Sequence, residues 1–361
     1  MKHFYIHTPR PLFPSHDRLG EIQKMTCSTR SERPEPPVQS AKLSHFNPPG
    51  LEIDDGNDKR IDAENSFMVK PIEKEPAIRE VDRPLRDGEK YYLPTDKAEL
   101  SRLDHQHVVW TKALDGDLFK APISEPKHVF DVGTGTGIWA VDFAKAFPDA
   151  QVLGIDLSEP RPPEVPPNCK FEERDFTGHW GYPQKFDLIH CRMIFSAPHN
   201  PQTLMQQAYS SLAPGGYLEY HEMYAMPMDV DGTLSGTILE QLFVDGIAGA
   251  ARLGNHNMIA LPRYKRWMVD AGFEDVVEIH RALPFNGWAK GSYKAVGEVM
   301  QGNIEAGLGS VYTGLLTRGL GWSPEKADEV IRKAREQVRD SRIHAYFPIF
   351  VVYGRKPLNA T

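Results

Sequence analysis

The chain has 361 residues, of which 40% are hydrophobic and 25% charged, enough for a sizeable core. A formal net charge of −7 argues against a general nucleic-acid binder, which needs a basic excess. No apolar run approaches the roughly 20 residues that span a bilayer, the opening residues lack a secretory apolar core, and Cys27, Cys169 and Cys191, outside any CxxC pairing, suit neither a disulfide framework nor a structural zinc site. The expected setting is therefore nuclear or cytoplasmic, neither secreted nor membrane-bound, and no metal is expected.

Residues 1–88 read as a disordered, low-structure tail. Stretches such as Ser31-Glu-Arg-Pro-Glu-Pro-Pro-Val-Gln-Ser40 show no apolar period, so they bury too little to offset ordering entropy. Order is expected from residue 89 onward. Asp96 is placed as an N-cap with Glu99 as its reciprocal cap, and Leu100, Leu103, Trp110 and Leu114 give a helical stripe over 96–114. Strand and helix signals then alternate. Strands are expected at 127–132, 151–155, 169–174, 186–191 and 217–221, and helices at 138–146 and about 201–212, the latter stopped by Pro214-Gly215-Gly216. Such alternation implies a parallel sheet covered on both faces. Residues 233–272 and 291–340 look helical and are expected to form a lid. Residues 276–282 and 344–353 look like closing strands.

The most informative segment is Asp131-Val-Gly-Thr-Gly-Thr-Gly137. It follows a strand and opens a helix, where glycine lets a ligand approach the backbone and the helix start favours negative groups. Glycines at alternate positions (Gly133, Gly135, Gly137) differ from the G-x-G-x-x-G of a nicotinamide dinucleotide site. Asp131 suits a ligand with a cationic end. Asp156 ends the next strand, where a carboxylate grips a ribose diol. Asp175-Phe176 ends the third and suits an adenine amine and face. Three carboxylates at successive strand ends describe a pocket for a nucleoside with an amino-acid tail, S-adenosylmethionine.

With these residues in view, 128–222 resemble a class I S-adenosylmethionine-dependent methyltransferase, and 88–357 resemble more narrowly the fungal LaeA-like branch. The resemblance is carried by Tyr91-Tyr-Leu-Pro-Thr-Asp with Arg102-Leu-Asp-His-Gln-His107, by Asp131 to Trp139, by Gly154-Ile-Asp-Leu-Ser158, by Phe186-Asp-Leu-Ile-His190, by Gly215-Gly-Tyr-Leu-Glu219 with Glu222, and by Ile343-His-Ala-Tyr346. It implies a Rossmann-like fold with a seven-stranded, mostly parallel sheet and helical cap insertions. It implies S-adenosylmethionine as cofactor, a regulatory role in secondary metabolism or development, nuclear residence, and velvet-type protein partners. Two alternatives stay open: an enzyme tailoring a fungal metabolite, and a cofactor-binding scaffold with little catalysis.

Methyl transfer from a sulfonium asks the protein for position and field, and for a base only where the acceptor must lose a proton. The acceptor should enter over the C-terminal strand ends. His190, His221 and Glu222 are the catalytic candidates there. Arg192 either faces the pocket or pairs with Glu222 or Glu219. Asp131, Gly133, Thr134, Gly135, Gly137, Asp156, Leu157, Asp175 and Phe176 are expected to bind the cofactor, with Tyr92 and His107 covering its methionine end. Met223-Tyr-Ala-Met-Pro-Met228 suits an adaptable apolar acceptor channel.

Overall fold

The computed structural model describes residues 46, 48–56, 72, 94, 96–158, 160 and 162–360. The chain divides into units before and after Phe46, and every element below belongs to Asn47–Thr361. Apart from residues 46, 48–56 and 72, the expected tail, Cys27 included, lies outside the described residues, as does Tyr92. Residues 48–56 depart from the expectation of low structure. Leu51 is buried, the backbone N–H groups of Asp54 and Lys290 donate to Trp288 and Glu52 carbonyls, and the Asp54 carboxylate meets Lys294 Nζ at 2.5 Å. One buried leucine and a short backbone pairing suffice to hold a segment that has no periodicity of its own.

Helix α1 (Lys97–Ala113) begins where expected, its N-cap Asp96 accepting from the Glu99 N–H at 2.9 Å. The Glu99 side chain does not cap in return. It is buried and takes Arg102 in a forked pair, Nη2 to Oε1 at 2.6 Å and Nε to Oε2 at 3.0 Å. Strand β1 (His128–Val132), helix α2 (Ile138–Ala146), β2 (Gln151–Asp156), β3 (Cys169–Glu173), β4 (Phe186–Arg192), helix α3 (Pro201–Ser211) and β5 (Leu212–Met223) follow. The expected stop at Pro214-Gly215-Gly216 instead lies inside β5, where the register against β4 slips. Glycine is required in that close approach, because a Cβ on Gly216 would stand 2.8 Å from the Phe186 carbonyl.

Two-residue β6 (Met228–Asp229), α4 (Ile238–Arg252), α5 (Tyr264–Asp270), β7 (Glu274–Pro284), α6 (Gly291–Gly314), a π-helical turn (Leu315–Gly319), α7 (Pro324–Val338) and β8 (Ala345–Arg355) complete the chain. The sheet has eight strands because β6 is added. Its order is β3-β2-β1-β4-β5-β8-β6, with β7 on the other side of β8. The five from β3 to β5 run parallel, and β8 is antiparallel to β5, β6 and β7. On one face Trp139, Phe143 and Ala144 of α2 pack on Val129, Val152 and Leu188. Phe130 stacks on Phe186 at 4.7 Å, with Trp180 at its edge. Helices α4, α6 and α7 lie in the stretches expected to be helical. No helix among the described residues is long and apolar enough to cross a membrane.

Candidate functional site

Strands β1 and β4 pair so that Asp131 stands opposite His190, and both end on the same side of the sheet. The loop after β1 turns back through three left-handed glycines, with φ of 68° at Gly133, 62° at Gly135 and 82° at Gly137. Gly137 is irreplaceable on two counts: its φ disfavours any side chain, and a Cβ would sit 2.6 Å from the Phe171 ring. The resulting cavity is lined by Asp131, Gly133, Thr134, Gly135, Asp156, Phe176, His190 and Arg192 at one end.

The charges here are held by hydrogen bonds. Asp131 is almost wholly buried; one oxygen accepts from the Thr134 hydroxyl and the other lies 2.7 Å from His190 Nδ1. Burial pushes its carboxyl up to about 6, against the pull of the Thr134 hydrogen bond and the nearby Arg192. The His190 ring lies flat on Trp139 at 3.7 Å, and burial drives its pKa well below the ordinary value. Its Nε2 finds no hydrogen-bond partner among the described residues. Asp156 closes the loop from the β2 side by accepting from the Gly135 N–H at 3.0 Å and the Ser158 N–H at 3.3 Å. A glycine backbone open to the cavity, a carboxylate on each side of it and the Phe176 ring beyond match the needs of an adenosine with a zwitterionic tail. The residues present fit S-adenosylmethionine.

Several expected site residues stand elsewhere. His221 does not line the cavity. Its Nε2 is held by Glu219, and Trp110, which does line the cavity, stacks over the ring at 5.5 Å. Glu222 is fully buried with its oxygens on the backbone N–H of Ile194 (3.0 Å) and Phe195 (3.5 Å), so it fixes the turn after β4 instead of facing an acceptor. Burial raises its pKa well above the ordinary value. Asp175 accepts from the Thr177 N–H and hydroxyl in a tight turn, and it and Leu157 lie off the wall. His107 stands behind Arg192, with Nδ1 3.1 Å from Arg192 Nη1 and Nε2 3.0 Å from Asp142 Oδ2. Arg192 itself pairs with neither Glu222 nor Glu219. Tyr92 lies outside the described residues.

The rest of the cavity wall combines distant segments. It includes Met223, Phe243, Met258, Met300, Leu308 and Phe347, drawn from β5, α4, the α4–α5 connection, α6 and β8. Met223 and Ala225 fall in the stretch expected to line an acceptor channel, and Phe243, Met258, Met300 and Leu308 in the helical stretches expected to form a lid, but their meeting in one wall was not visible in the sequence. Helix α6 is latched to α1 at the cavity wall, Asn303 Nδ2 donating to the Arg102 carbonyl at 2.9 Å and Arg102 Nη1 to Asn303 Oδ1 at 3.3 Å.

A family profile described as a methyltransferase domain matches residues 106–278. The methyltransferase pytC of Aspergillus terreus is 33% identical over 270 residues, 74% of this chain and 83% of that protein. The secondary metabolism regulator LAE1 of Cochliobolus heterostrophus is 30% identical over 276 residues, 74% of this chain and 90% of that one. The probable methyltransferase tdiE of Emericella nidulans is 30% identical over 261 residues, 72% and 82%.

Proposed function

Because the chain belongs to the fungal S-adenosylmethionine-dependent methyltransferases of the LaeA, pytC and tdiE type, we propose that it methylates an apolar small molecule of secondary metabolism. The observation that carries this reading is the wall of the cavity contributed by residues 223–347. Apart from Asn303, which latches α6 to α1, and the Tyr312 hydroxyl, it holds methionines, aromatics, aliphatics and a glycine, and no Asp, Glu, His, Lys or Arg. A largely apolar wall takes up a hydrophobic acceptor and sheds water, and its methionines adapt to irregular shape.

The cofactor supplies an electrophilic methyl group. This chain's own residues do the holding: Asp131 faces the ammonium, Asp156 the ribose hydroxyls, and Phe176 the adenine. Gly133 and Gly135 keep the backbone clear. His190 stands at the wall with its Nδ1–H given to Asp131, an arrangement that orients a base, but burial favours its neutral form and so weakens Nε2 as a proton acceptor. With Glu222 and His221 turned away and His190 weakened by burial, no Asp, Glu or His among the described residues of the 223–347 wall is placed to remove a proton. The acceptor class that fits is one whose nucleophile is ionised at neutral pH, an acidic enol or phenol on an apolar frame.

Methyl-tritiated cofactor, the purified chain and a panel of acidic hydroxypyrones and polyhydroxylated aromatics provide the test. Label should pass into the organic phase, and Leu308→Phe, which fills the apolar wall, should lower that transfer at least tenfold while cofactor binding stays within threefold. Label found only in added protein, or no transfer by a chain that binds cofactor, would overturn the reading. The first of these outcomes would favour the regulator role that the LAE1 match supports, with nuclear residence and velvet-type partners.

A further inference from the structure

Two guanidinium groups reach the cavity wall, Arg102 and Arg192. Arg102 is neutralised by Glu99. Among the described residues no carboxylate comes within ion-pair distance of Arg192. Its side chain donates instead to the uncharged imidazole of His107. A guanidinium can only donate, so His107 Nδ1 accepts and its Nε2–H points at Asp142. The His107–Asp142 pair thus aims Arg192 without placing a counter-charge against it. Burial pushes the Arg192 pKa down to about 10. An enclosed cation with no anion in contact is costly, and a ligand anion is what relieves it.

The place of this cation selects the anion. Arg192 is the last residue of β4, just beyond the Val132–Cys191 pair, so it stands across the first turn of the glycine loop from Asp131. A carboxylate and a guanidinium therefore flank Gly133 in one cavity, the charge pattern complementary to an α-amino acid. The apolar wall of residues 223–347 lies elsewhere and offers no second charge. We propose that Arg192 receives the carboxylate of the cofactor's methionine end, with His107 and Asp142 as its positioning residues. The assignment rests on the cofactor being held in this cavity.

The test uses calorimetric titration of the full chain with two ligands, S-adenosylhomocysteine and 5′-methylthioadenosine. The second keeps the nucleoside and thioether but lacks the amino-acid group. Arg192→Met should weaken S-adenosylhomocysteine binding by about 10- to 100-fold, the span of a charge-assisted contact, and leave methylthioadenosine within twofold. Arg192→Lys should restore most of the loss. Equal weakening of both ligands would overturn the proposal in favour of a structural role. Unchanged S-adenosylhomocysteine binding would overturn it in favour of an anionic acceptor. A wild type that binds neither ligand would sink the cavity assignment itself. Should Arg192→Met fail to fold, the wild type titrated with the carboxamide of S-adenosylhomocysteine answers the same question: at least tenfold weaker binding is expected, and equal binding overturns the proposal.

Discussion

The two sets of residues that line one cavity, those of 102–197 and those of 223–347, are built on opposite terms. Residues 102–197 carry every charged group and imidazole among the described lining residues, and each is tied to a neighbour: Arg102 to Glu99, Asp131 to Thr134 and His190, Asp156 to the Gly135 N–H, Arg192 to His107. Residues 223–347 carry none. A cofactor of fixed shape rewards fixed dipoles, since donors and acceptors already in place cost no reorganisation on binding. An apolar acceptor needs exclusion of water and close packing, which methionine and aromatic side chains supply without orientation. On the proposed reading, cofactor recognition and acceptor recognition are separable, and the following changes bear on that separation.

The largest effect is expected at the hinge of the polar end. Gly137→Ala adds a Cβ to a left-handed residue against the Phe171 ring. It should cost about 3 kcal/mol in unfolding free energy by denaturant titration and abolish cofactor binding. A loss under about 1 kcal/mol would mean that Phe171 moves aside freely. Asp156→Ala should come next, weakening S-adenosylhomocysteine at least tenfold in calorimetry by removing the ribose acceptor and loosening Gly135. The melting temperature of the free chain should fall by only a few degrees; a collapse of the whole fold would break the separation.

The pH response is smaller and has a definite sign. The Asp131 carboxyl is raised to about 6, and on the proposed reading its ionised form is the one that would face the cofactor's ammonium. Cofactor affinity should be flat above pH 7 and fall as pH drops through about 6, by up to tenfold per unit. For the free chain the sign reverses. A raised folded pKa contributes stability that is fully present below the unfolded value near 3.8 and is lost as pH rises through about 6. Asp131→Asn should remove both dependences; an affinity that still follows pH in that variant would assign the titration elsewhere. The smallest effect is expected at Glu222→Gln. Burial already favours the uncharged carboxyl there, and a glutamine oxygen still accepts from Ile194. Methyl transfer should stay within about threefold; a loss beyond a hundredfold would return Glu222 to the role of base.

The polar end was legible because its signals are local. A glycine at every second position between strand and helix, and an acid closing the next strand, are short-range patterns with few structural solutions. The errors at this end came from side-chain direction. Successive residues of a strand face opposite sides, so Met223 enters the cavity while Glu222 beside it turns to the Ile194–Phe195 backbone. His107 and Arg192 are 85 residues apart, and nothing in either neighbourhood announces that they meet. The buried leucine of residues 48–56 was hidden for another reason: a segment ordered by pairing with 288–290 carries no period of its own.

The sequence by itself determined the alternation that builds the parallel sheet, the glycine turn and the kind of ligand that turn accepts, because backbone conformation and strand-end chemistry depend on nearest neighbours. Tertiary structure alone decided which imidazoles reach the cavity, what stands behind Arg192, and that β5, α4, α6 and β8 converge on one apolar wall. Those outcomes depend on which faces of distant elements are pressed together, and packing of that kind leaves no mark on the order of residues along the chain.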